Sequence, residues 1–93
     1  MNSNKTETMI RTLLSEKGIS TEHTFEIKSE GMFGNHFVPI EVVIEFILSL
    51  DRPTQEQIVK TLVMIDFKNG NVLHFLEYIT KGMVQLQFSE TNN

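Results

Sequence analysis

The segment from Val38 to Leu50, VPIEVVIEFILSL, is the longest near-continuous apolar run in the chain, and it sets the terms on which the rest must fold. Glu41 and Glu45 lie four residues apart and Ser49 four further on, so a helical period gathers the polar residues into one narrow stripe. Everything else on such a helix is apolar, which suits a core position or a place between partners better than a surface. Pro39 fits the first helical position, where its missing N–H would have no intrahelical partner and its fixed φ is already helical. An extended chain is the competing reading. Val42, Val43, Ile44 and Ile47 are β-branched, and one face of a strand would carry Ile40, Val42, Ile44, Phe46, Leu48 and Leu50. Thirteen residues is long for a strand and ordinary for a helix, so the segment is assigned as a helix over 39–50.

Before this run, Asn4 with Glu7 three residues on has the spacing of a capping box. Met9, Ile10, Leu13 and Leu14 form one stripe, and Gly18 after Lys17 is placed for a left-handed cap. These features predict an amphipathic helix over 5–17. The period then changes. Thr24 to Lys28 alternates polar and apolar, which predicts a short strand with Phe25 and Ile27 inward. Ser29-Glu30-Gly31 and Gly34-Asn35 are turn material on either side of Met32-Phe33, so the 23–37 region is expected to form a small β ribbon.

After it, Asp51-Arg52-Pro53 is a break, and Thr54 with Gln57 repeats the capping-box spacing ahead of a helix over 55–67. Ile58, Leu62 and Ile65 share one face, with Val59 and Val63 alongside. Glu56 and Lys60 are set for a surface pair. Asn69-Gly70 marks an end, and Asn71 is placed to cap a fourth helix over 71–81, where Glu77 and Lys81 again stand at i, i+4. Connections this short predict successive antiparallel neighbours for the last three helices. The tail reads two ways. Val84, Leu86 and Phe88 alternate with glutamines as an edge strand would, yet Ile79, Met83 and Leu86 continue the helical stripe if Gly82 is tolerated inside a helix. The reading adopted ends the helix near Gly82, leaves 84–88 extended and takes 89–93 as a disordered tail. The expected class is therefore α+β and mainly helical, as a single domain over 1–88.

Composition narrows the function. Ninety-three residues suffice for one modest core and not for two domains. No stretch approaches the length of an uncharged membrane span, and the polar N-terminal residues lack the apolar region of a signal peptide, so a cytoplasmic protein is expected. The absence of cysteine removes disulfides, thiolate metal sites, iron–sulfur clusters and a cysteine nucleophile. The net charge of −4 is concentrated: between residues 22 and 45 stand Glu22, Glu26, Glu30, Glu41 and Glu45 against Lys28 alone, and the seven acids outside that window balance seven bases. Such a field repels phosphate backbones and favours basic partners, or it merely keeps the surface solvated.

Few residues suggest chemistry. His23, His36 and His74 are the only histidines, and none lies three or four residues from another. Asp66 to Asn71 has the outline of a calcium loop but puts Lys68 where an oxygen ligand is required. Glu41 and Glu45 share a helix face without a histidine or a second acid pair in register, which is the pattern of a solvated stripe. No phosphate loop, nucleophile elbow or HExxH is present. Helices 39–50 and 55–67 have a helix-turn-helix layout, but Lys60 and Lys68 are offset by Glu56 and Asp66, a poor surface for phosphate. No enzyme activity, cofactor, metal or nucleic-acid partner is expected. The sequence points to a protein-interaction module, in one form a homodimer through helix 39–50, with Met32, Phe33 and Phe37 as apolar anchors. An acidic regulator that docks a basic protein through Glu26, Glu30, Glu41 and Glu45 is a second reading. A small-molecule sensor with an apolar pocket between helices is a third.

Overall fold

The computed structural model describes residues 2–28, 34–65 and 69–91. Its elements run α1 (Asn2–Glu16), β1 (Thr24–Lys28), β2 (Asn35–Pro39), α2 (Ile40–Leu48), α3 (Arg52–Met64) and α4 (Asn69–Thr91). This is the mainly helical α+β class expected, with four helices and one antiparallel ribbon among the described residues.

α1 ends as its sequence dictates. Gly18 takes φ 73°, its N–H bonds the Ser15 carbonyl at 3.0 Å, and the Ile19 N–H reaches the Leu14 carbonyl at 2.9 Å. Those two bonds are the Schellman arrangement, and the buried pair Leu14 and Ile19 supplies its usual apolar contact. The ribbon follows at once. β1 pairs antiparallel with β2 in the register Phe25↔Val38 and Glu26↔Phe37, so the period of two buries Phe25, Ile27 and Val38 and turns Glu26 and Phe37 outward. β2 passes directly into α2. The Ile40 N–H bonds the His23 carbonyl at 2.9 Å, which fastens the first helical residue to the entry of β1.

The apolar run is a helix, and its all-round hydrophobicity is explained by what surrounds it. α2 packs against α1, α4 and β2 at once. Ile40, Val43, Ile44 and Ile47 are buried, and Phe46 and Leu48 lie against the core from its margin. The core therefore closes over most of the surface that was expected to need a partner. Pro39 is not the first helical residue but the extended residue before it, with φ −64° and ψ 150°, because its backbone completes β2.

α3 begins earlier than the Thr54 cap would place it. Asp51 is the N-cap residue, Pro53 sits inside the first turn where it sacrifices no hydrogen bond, and the Thr54 hydroxyl donates to the Asp51 carboxylate at 2.6 Å. Gln55 thus lies inside the helix, and its amide donates to the Leu48 and Leu50 carbonyls at 3.0 and 2.7 Å. Leu48 is the last residue of α2 and Leu50 lies in the turn beyond its cap, so one side chain of α3 serves both the end of α2 and the turn that follows it. Ile58, Val59 and Leu62 are buried, while Val63 faces outward with Met64. Glu56 pairs back to Arg52 at 3.9 Å in place of the expected pair with Lys60. α3 stops at Met64, short of the end expected at Phe67, because Ile65 leaves the helical region with ψ 138° and only its N–H still reaches back to the Thr61 carbonyl; residues 66–68 lie outside the described residues.

The largest correction concerns the tail. α4 starts at Asn69 and does not stop at Gly82, and residues 84–88 are helical, not an edge strand. The helix passes Ser89, where the tail was expected to begin, and continues to Thr91. Val72, Leu76, Thr80, Met83 and Val84 are buried on one stripe, and burial of Met83 and Val84 offsets the entropic penalty of a mid-helix glycine. The buried Thr80 hydroxyl is satisfied by the Leu76 carbonyl at 2.7 Å. Chain order is not packing order: α3 rests chiefly on α1, and α4 packs on α2 and β1. The expected series of antiparallel neighbours is replaced by an arrangement with α1 and α2 at its centre.

Candidate functional site

The residues singled out by sequence do not come together as one site. Met32, Phe33 and Glu30 lie outside the described residues. Phe37 is 67% exposed on the outer face of the ribbon, directly opposite Glu26, whose carboxylate accepts a hydrogen bond from the Asn35 amide. Glu45 is exposed on α2.

Glu41 is engaged differently from what a free acidic surface requires. Arg11 of α1 forks onto it with Nη1 to Oε2 at 2.9 Å and Nη2 to Oε1 at 2.7 Å, while Arg11 Nε donates to Glu7 at 2.9 Å. The bidentate hydrogen bonds hold the Glu41 carboxyl below its ordinary range, and the two carboxylates raise the Arg11 guanidinium above its own. The carboxylate stripe on α2 is thus half consumed by a tie between α1 and α2. That weakens the case for Glu41 as a contact for a basic partner, and sequence spacing alone could not show it, since the arginine lies thirty residues away.

The feature with the reach of a docking surface is a groove of about 470 Å³ between the end of α2, the middle of α3 and the outer flank of α4. Phe46, Leu50 and Ile58 line one side, and Ile79, Leu86 and Tyr78 the other, with Gly82 between them. Lys81 and Gln85 stand at its rim, and the Lys81 ammonium is 3.7 Å from the Glu77 carboxylate. Tyr78 is 73% and Leu86 53% exposed, so the α4 side is an uncovered apolar strip and not a crevice. The sequence carried a partial signal for this: Tyr78, Gly82 and Leu86 repeat at intervals of four, visible once 84–88 is read as helix.

Two smaller hollows share no lining residue with it. One, of about 240 Å³, lies between α1 and α3 beside Met9 and Val59. The other, of about 310 Å³, brings His23 and His74 to one hollow with Glu77, and the His23 ring meets Phe25 edge-on at 4.6 Å between centroids. No group of three or more side chains able to hold a metal ion occurs among the described residues. Nor is any helix among them long and apolar enough to cross a membrane. Compared with known proteins, the chain matches no family model, no curated protein and no solved structure.

Proposed function

We propose that this chain is a small cytoplasmic, non-enzymatic protein-interaction module that docks through the groove between α2, α3 and α4. The observation that carries the reading is the exposed apolar strip of Tyr78 and Leu86 on α4, facing Phe46, Leu50 and Ile58 across an open groove. Scattered apolar residues on a surface need no explanation, whereas a contiguous apolar groove with a polar rim is the usual form of a recognition surface. Its openness favours a macromolecule over a metabolite, because small-ligand sites enclose most of their ligand and this groove covers one side only. The acidic-regulator reading is the weaker one, as Glu41 is already paired with Arg11. Docking through the buried face of α2 is not part of the proposal, since the core occupies that face.

The test is nuclease-treated affinity capture from the native host's lysate, followed by reconstitution from purified components. It includes a differently tagged second copy of the chain. A species retained by wild type and lost with Leu86→Glu, in a variant that keeps its helical circular dichroism, supports the reading. Retention that survives Leu86→Glu but is lost when Glu26 and Glu45 are reversed to lysine transfers function to the acidic surface. Retention of no species ends both readings.

A further inference from the structure

We draw no further inference here: the strongest candidate, the hollow where His23, His74 and Glu77 come together beside β1 and α4, carries nothing, since those three side chains are not placed to hold a metal ion and nothing in the structure shows what else would fill it.

Discussion

Gln55 shows how much of this fold can hang on one side chain. Its amide gives both hydrogens to carbonyls, Leu48 at the end of α2 and Leu50 in the turn beyond it, so removing it leaves two part-buried acceptors without that donor. Gln55→Ala is expected to lower unfolding free energy by about 1–3 kcal/mol in urea denaturation, whereas Gln57→Ala on the exposed side of the same helix should change it by less than about 0.5 kcal/mol. Equal effects would mean that the amide is not what closes α2. Arg11 and Glu41 form the other cross-element contact, and its signature is pH. The Glu41 carboxyl is held below its ordinary value of 4.5 by the Arg11 hydrogen bonds. A carboxyl depressed in the folded state stabilises fully above the unfolded value and loses that contribution as pH falls through the folded one. Glu41→Gln should therefore be less stable than wild type at neutral pH, and the two stability curves should converge as pH drops below about 4.5. Parallel curves down to strong acid would show that the pair contributes nothing. Neither contact was legible in the sequence. Gln55 reads as the start of a helix, and Arg11 falls outside the Met9, Ile10, Leu13 and Leu14 stripe, because their partners lie on other elements.

At the scale of elements, what could be read depended on whether one periodicity acted alone. β1 was legible to its ends, since Thr24 to Lys28 alternates with no helical stripe competing. α2 was assigned correctly as a helix, and of the two places its narrow polar stripe allowed, in a core or between partners, α1, α4 and the ribbon supply the first for its buried face. The C-terminal half of α4 failed because Val84, Leu86 and Phe88 satisfy a period of two while Ile79, Met83 and Leu86 satisfy the helical one. Gly82 tipped the reading, although the burial of Met83 and Val84 outweighs it. Gly82→Ala gains helix propensity and meets no neighbour, so it should raise the urea midpoint of the dilute monomer by the equivalent of about 1 kcal/mol. Gly18→Ala should do the reverse by a similar ~1 kcal/mol, because φ 73° belongs to the left-handed region that disfavours a Cβ. If both substitutions moved stability in the same direction, the boundaries assigned to α1 and α4 could not both hold.

For the whole molecule, the question is which force brings a partner to it. The net charge of −4 lies entirely between residues 22 and 45, and the acids there that face solvent among the described residues, Glu22, Glu26 and Glu45, sit on elements other than α4. The groove is apolar, with Lys81 at its rim already compensated by Glu77. Association through an apolar groove is insensitive to ionic strength, whereas docking through exposed carboxylates is screened over about 10 Å at 0.1 M salt. Raising salt from about 0.05 to 0.5 M should therefore leave the dissociation constant within about threefold, and reversing Glu22, Glu26 and Glu45 to lysine should do no more than that at high salt. At low salt the triple reversal should alter chiefly the association rate, because rim charges steer encounter more than they hold a complex. Glu41 is left out of that variant since its reversal would break the tie to Arg11 and confuse binding with folding. An affinity that collapses across the salt series, with the loss lying in the dissociation rate, would place the binding energy on the acidic surface and take it away from α4.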